Sequence, residues 1–388
     1  MIIYFLILIF CLLLSGLKIS KGIENVALAI VTVFICFGYT TGTDWVLYEQ
    51  FYYDNIFARH LEESRESGYY LFQTFFSAIG INFWVFHISV KIIVFLLLIR
   101  FVRLFEVNIF LFLVLFLPDA GFFLFIDCPF RNLIAIGISL IAIEKLIDKK
   151  NISFFLLILL AMMFHTSAFI MFFIFILFNA RISSRTWVIL TLISFIIAFR
   201  IDFLLNYVFI PLSNIIPPLQ NRLLYYFLND VFIGGGFNLG SIIRLLAFGL
   251  LIIQRKKIQQ LLNGNEFILN MAFLFIILYP WGISMKIFQR FSLYLMPVYT
   301  ISILFLLKSL NQDWKKYFIY AFFILFGFLQ TRNIITFDHR YVPYTNYLFF
   351  QNKDKYKSVE DRKQYNLKLS PYTKDEDKKQ NYQQNSNK

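Results

Sequence analysis

The sequence predicts an all-α fold, a polytopic transmembrane helical bundle of about ten spans plus a short-helix hairpin. Three observations predict it. Of 388 residues, 59% are hydrophobic, and the mean hydropathy is +0.68, more apolar surface than a soluble domain of this size can hide. Uncharged runs recur, most clearly Asn151–Ala180, Phe267–Met285 and Phe291–Leu307, and a helix of about 20 such residues crosses about 30 Å of hydrocarbon. Lys and Arg gather in the short loops between runs, as they do in loops that stay in the cytoplasm. The runs do not alternate polar with apolar, which argues against a transmembrane β-barrel.

The chain is apolar at once (Ile2–Leu14). Lys18 and Lys21 follow without a small-residue cleavage site, the pattern of a retained first helix rather than a signal peptide. Taking Lys18/Lys21, Arg100/Arg103, Lys145/Lys149/Lys150, Arg181/Arg185, Arg255–Lys257 and Lys308/Lys315/Lys316 as inside gives one consistent path. The spans on that path are 2–17, 23–38, 82–100, 104–118, 131–147, 186–200, 239–254, 267–284, 290–307 and 317–331. Trp187, Trp281 and Trp314 fall near span ends, where an aromatic belt would place them.

Residues 151–180 have basic flanks on both sides and are too short for two full crossings. The expected solution is a pair of short helices meeting at Phe164-His165-Thr166-Ser167, a polar break that must lie against protein or a water-filled cavity. One long tilted helix is the alternative. The outer face then holds residues 39–81, residues 201–238 with Pro217-Pro218 and Gly234–Gly236, and the segment after 331. Three parts follow: a membrane domain at 1–331, an outer segment at 332–350, and a polar, disordered tail at 351–388.

Cys11, Cys36 and Cys128 are too scattered for a disulfide framework or a zinc site, and neither CxxC nor HExxH occurs. With four His and no close cluster of His and carboxylates, neither a metal nor a cofactor is expected. The net charge of +13 is carried by the inner loops and by a tail with 10 Lys/Arg against 6 Asp/Glu, so nucleic acid is not expected as a partner.

Before residue 332 the inner set contains 10 Lys and 5 Arg, whereas the outer set contains Lys286 and seven Arg: Arg59, Arg65, Arg131, Arg200, Arg222, Arg244 and Arg290. Arginine's planar fork binds phosphate through two parallel hydrogen bonds and keeps its charge, so this bias points to an anionic ligand outside. Snorkelling of long side chains is the bland reading. Arg131, Arg244 and Arg290 lie in or beside apolar spans, where charge is costly and usually functional. His87 and Lys91 share a helical face, and Lys91 is expected to pair structurally with Asp119 or Asp127. Asp54, Glu62, Glu63 and Glu66 read as a solvated face of the outer loop.

Thr41-Gly42-Thr43-Asp44, followed by Tyr48 and Phe51-Tyr52-Tyr53, resembles the EpsG-type family of exopolysaccharide proteins, relatives of Wzy-type O-antigen and capsule polymerases. Further matches occur in order: Glu66-Ser67-Gly68-Tyr69, Arg131-Asn132-Leu133-Ile134-Ala135 (with Asn where the family has Gln), Phe164-His165-Thr166-Ser167-Ala168, Gln289-Arg290-Phe291 with Tyr294, and Pro343-Tyr344. They span residues 25–350. The outer loop reads Gln220-Asn221-Arg222, without the family's Gly before Arg.

The resemblance implies a bacterial inner-membrane enzyme that joins undecaprenyl-pyrophosphate-linked oligosaccharide repeats on the outer side, working beside a flippase and a chain-length regulator. Asp44 or His165 would be the catalytic base, each with a structural reading beside it: a turn or N-cap aspartate, and a satisfied membrane histidine. Arg131 and Arg290, then Arg222 and Arg244, would bind the pyrophosphate, with Tyr48 and Tyr344 also at the substrate. The rivals are a flippase for the same lipid-linked repeat, a non-catalytic scaffold and a membrane acyltransferase. A flippase would usually show internal repeats, and none is visible here.

Overall fold

The structure, a computed structural model, describes residues 2–42, 44–53, 66–200, 207, 238–311, 314–337, 341–342 and 344–350. The tail, Arg222, and the Pro217-Pro218 and Gly234–Gly236 breaks lie outside the described residues. Among the described residues the chain is helical, and extended backbone pairs only at a bridge between Gly38 and Asn346.

Helices α1 (Ile2–Ser15) and α2 (Lys21–Cys36) come first. Ser20 caps α2 by accepting from the Ile23 amide, and Glu24 in its first turn suits the positive end of the helix. Two short helices, α3 (Trp45–Tyr53) and α4 (Ser67–Ala78), precede α5 (Phe83–Arg103), which Asn82 caps. Helix α6 (Ile109–Phe116) runs on through two π-helical turns, Leu117–Gly121 and Phe123–Asp127. Pro118 sits in the first of them, where it cannot donate a backbone hydrogen bond. Cys128, at φ 58°, ends this segment before α7 (Phe130–Ile147).

Helix α8 (Asn151–Phe164) stops at His165, whose backbone is extended (φ −155°, ψ 122°). A tight turn over Thr166–Ile170 leads into α9 (Met171–Phe178). Phe175 then lies 4.7 Å from Phe155 and 5.9 Å from Phe154, ring centre to ring centre. Twenty residues along one straight helix would span about 30 Å. The chain therefore folds back on itself, as the hairpin expectation required.

The remaining helices are α10 (Ser184–Phe199), α11 (Leu239–Ile253), α12 (Arg255–Leu261), α13 (Phe267–Ser284), α14 (Lys286–Ser309), α15 (Trp314–Phe337) and α16 (Tyr347–Phe350). Helix α14 is the axis of the bundle. Of its apolar stretch, 89% is buried, against 28% for α15, which presents its apolar side outward. The break before α14 falls at Met285, ahead of the span expected at 290–307, so Arg290 sits in the second turn of the helix rather than at its start.

A helix lies under each of the ten expected spans. Four of them, within α5, α13, α14 and α15, are long and apolar enough to cross a membrane. Six shorter apolar helical stretches join them: Ile2–Ser15, Ile109–Gly121, Asn151–Phe164, Thr166–Phe178, Ser184–Phe199 and Leu239–Ile253. This is a membrane protein. Trp187, Trp281 and Trp314 each lie in the first or last turn of a helix, Trp187 buried and Trp314 71% exposed.

Gly42 shows why Gly-Thr-Asp needs its glycine. Its φ is +89°, and a Cβ there would come within 2.7 Å of the Asp127 Cα and the Ile126 carbonyl oxygen. The loop after α2 is thereby seated on the second π-helical turn, just ahead of Arg131.

Candidate functional site

Three sequence motifs meet at one carboxylate. Glu66 precedes α4, and its Oε2 accepts from Arg131 Nη1 at 2.6 Å. Its Oε1 lies 2.7 Å from His165 Nδ1 and also accepts from the Thr166 amide at 3.2 Å. The helix break explains the last bond, because the extended His165 turns the next amide out of the helical ladder and towards Glu66. Gly68 explains the approach. A Cβ there would come within 2.7 Å of Met163 Cβ, so only a bare backbone lets α4 lie this close to the end of α8.

The Glu66 side chain is 12% exposed, that of His165 9% and that of Arg131 34%. Burial works against the ionised carboxyl, but the His165 hydrogen bond, the Arg131 charge and the Thr166 amide outweigh it and hold Glu66 below the usual carboxylate range.

Aromatic groups and hydroxyls wall the centre. The Arg131 guanidinium lies 6.0 Å from the centre of the Tyr48 ring, which meets Tyr69 and Phe130 edge-on at 5.7 Å each. Ser167, two residues beyond His165, is 3.1 Å from the Tyr294 hydroxyl and donates to Asn132 Oδ1 at 3.4 Å. Arg131 Nε, Asn132 Nδ2 and the Tyr69 hydroxyl are buried without a partner among the described residues. Buried donors of this kind are commonly matched by a ligand or water.

The chemistry follows from the tautomer. With Nδ1–H directed at a carboxylate, the other imidazole nitrogen, Nε2, keeps its lone pair and can accept a proton. A base oriented by a carboxylate beside a fixed guanidinium is an arrangement suited to deprotonating a hydroxyl next to an anionic leaving group. No group of three or more His, Cys, Asp or Glu able to hold a metal ion occurs among the described residues.

The sequence model of the EpsG family matches residues 23–346. The chain belongs to the EpsG family. That family consists of Wzy-like polysaccharide polymerases, and its matched region contains every residue of the Glu66 centre. No curated protein and no solved structure matches the chain.

The other expected site residues of this EpsG-family chain are distributed unevenly. Asp44 immediately precedes α3, where its carbonyl accepts from the Tyr48 amide at 3.3 Å in the manner of an N-cap. Arg290 is exposed on α14, one turn before Tyr294.

Arg244 belongs to a second charged centre. It is 1% exposed and ion-paired with Asp119, and its guanidinium lies 4.4 Å from the Tyr279 ring centre and 5.3 Å from that of Phe326. This pairing overturns Asp119 as the partner of Lys91. Among the described residues, no carboxylate lies within 4.0 Å of Lys91, which is buried. Tyr344 donates to the Phe34 carbonyl at 2.5 Å, accepts from Asn346 Nδ2 at 3.0 Å and packs on Phe34 and Tyr4. Those bonds tie the C-terminal segment to α2.

Sequence reasoning missed Glu66 as a site residue and placed it on a solvated face. Its neighbours Glu62 and Glu63 made the segment look hydrated, and its two partners are 65 and 99 residues away. The signal that could have found it was the glycine two residues later, since Gly68 is what brings the segment against α8.

Proposed function

We propose that this chain is a membrane glycosyltransferase that polymerises undecaprenyl-pyrophosphate-linked oligosaccharide repeats into a surface polysaccharide on the outer side of the bacterial inner membrane. The observation that carries the reading is the convergence of Arg131 and His165 on Glu66, within a chain of a polymerase family.

In the proposed reaction, His165 Nε2 takes the proton of the acceptor hydroxyl on the incoming repeat. The hydroxyl oxygen then bonds to the anomeric carbon of the growing glycan. The bond from that carbon to the pyrophosphate breaks, and the lipid pyrophosphate leaves with the electron pair. Glu66 holds the histidine in the required tautomer and stabilises the imidazolium that forms. Arg131 stands next to the leaving group, with Arg290 within reach of a long anionic headgroup. Fixed cations in a partly dry site stabilise developing charge far better than they would in water, so the proposal needs no metal. Asp44, immediately before α3, is the alternative base that the resemblance implies.

Deletion of the gene, followed by gel separation of the surface glycan, tests the proposal. A ladder that collapses to a single repeat is the expected result. Loss of even the single surface repeat would instead identify a flippase.

A further inference from the structure

A cavity of about 500 Å³ opens beside the Arg244–Asp119 pair, between the first π-helical turn, α13, α14 and α15. Sites for small molecules commonly enclose about 300–1,000 Å³. Resting on the polymerase reading, we infer that this cavity is a glycosyl subsite that takes an uncharged sugar of the repeat and excludes the pyrophosphate.

The lining carries the inference. Gln289 and Asn333 contribute carboxamides, Tyr279 a phenol and Asp119 a carboxylate, beside Gln330, whose amide nitrogen reaches Asp119 and the Pro118 carbonyl, and Asn238, whose Oδ1 accepts from Ser241. Carboxamides both donate and accept, as sugar hydroxyls do. The Tyr279 ring offers an apolar face with a polar tip, suited to the mixed surface of a pyranose. Arg244, beside the cavity, is paired with Asp119 and enclosed by aromatic rings, and the lining holds no Lys or Arg among the described residues. A pyrophosphate placed here would meet the Asp119 carboxylate and no Lys or Arg side chain in the lining among the described residues.

Helix α14 connects this cavity to the Glu66 centre. Gln289 and Ser292 line the cavity, and Tyr294, on the same helix, contacts Ser167 beside His165. The five residues from Gln289 to Tyr294 amount to about 7.5 Å of helical rise. Five residues also turn a helix by about 140°, so the cavity and the Glu66 centre lie on different faces of α14.

The test uses the full-length protein in lipid nanodiscs. The probe is the single-repeat oligosaccharide released from its carrier by mild acid and then dephosphorylated, with inorganic pyrophosphate as a second probe. Saturable binding of the oligosaccharide is expected, weakened at least about tenfold in Gln330→Ala/Asn333→Ala through two lost hydrogen bonds. Arg131→Lys is expected to leave oligosaccharide binding unchanged and to weaken pyrophosphate binding. Should the double variant fail to fold, Met296→Trp fills the cavity from another wall and must weaken binding equally. No oligosaccharide binding by the wild type, or binding that Met296→Trp leaves unchanged, overturns the inference. Loss of oligosaccharide binding in Arg131→Lys also overturns it, by moving the sugar to the Glu66 centre. The polymerase reading fails separately: an intact ladder in the deletion strain removes it while leaving a cavity-dependent binding result in place.

Discussion

The Glu66 and Arg244 centres each set an arginine against a carboxylate, but they differ in what remains unmatched. At Glu66 one carboxylate serves a guanidinium, an imidazole and a backbone amide, and Arg131 stays 34% exposed. At Arg244 the pair is one to one, the guanidinium is 1% exposed, and rings surround it. The first arrangement leaves an imidazole nitrogen and a partly open cation to meet a substrate. The second pairs one guanidinium nitrogen with Asp119, encloses Arg244 Nε and Nη1 among rings without a hydrogen-bond partner among the described residues, and stands beside a cavity lined by amides and a phenol. Two arginines that look equivalent in sequence therefore suit opposite ligands, one anionic and one neutral.

The strongest way to break this comparison is at the Glu66 centre. His165→Ala is expected to lower polymer yield by about 100-fold or more, the usual size of a lost general base. Glu66→Gln should lower it less, since the imidazole survives but loses its orienting partner. Arg131→Lys keeps the charge and loses the fork, and is expected to shorten chains on the order of tenfold. Arg290→Lys should act in the same direction. Glycan gels with immunoblots for protein level measure all four, and wild-type chain length at normal expression in Arg131→Lys and His165→Ala would reduce this centre to a structural joint.

The Arg244 centre should respond in the opposite manner. Asp119→Leu or Arg244→Met alone strands a buried charge, at a cost of about 3–5 kcal/mol, and is expected to deplete folded protein. The double substitution removes both charges and should recover most of the thermal stability in detergent. If the double variant is no more stable than either single, the pair is not an isolated ion pair and the contrast with Glu66 weakens.

A smaller effect sharpens the contrast through pH. Glu66 has a folded pKa below its unfolded value. Its contribution to stability is therefore complete above the unfolded value of about 4.3 and is lost as pH falls through the lower folded value. Melting temperatures from pH 6 down to pH 3 should fall more steeply in the wild type than in Glu66→Gln. Parallel curves would mean that the carboxylate gains nothing from its partners.

Much of the fold was legible because hydropathy and loop charge act locally. The helix under each expected span and the break at His165 follow from runs, flanks and one polar tetrad. Arg131 was legible as a helix-start cation after Pro129. Glu66 and Asp119 were not. Glu66 sits in an acidic stretch that reads as hydrated, and Asp119 lies in an apolar one, where it reads with Asp127 as one of two carboxylates open to Lys91. Nothing within a few residues of either names its partner.

The sequence by itself determined that this is a helical membrane protein of a polymerase family, because transfer of apolar helices into lipid depends on composition within about 20 residues. It also determined the break at Phe164-His165-Thr166-Ser167, because a polar tetrad interrupts an apolar run. The pairing of charges was decided by the tertiary structure alone. Arg131 meets Glu66 across 65 residues, His165 meets it across 99, and Arg244 meets Asp119 across 125. A buried charge takes whichever partner helix packing brings within about 3 Å, and that packing is set by many small contacts at once, such as Gly68 against Met163 and Gly42 against Asp127.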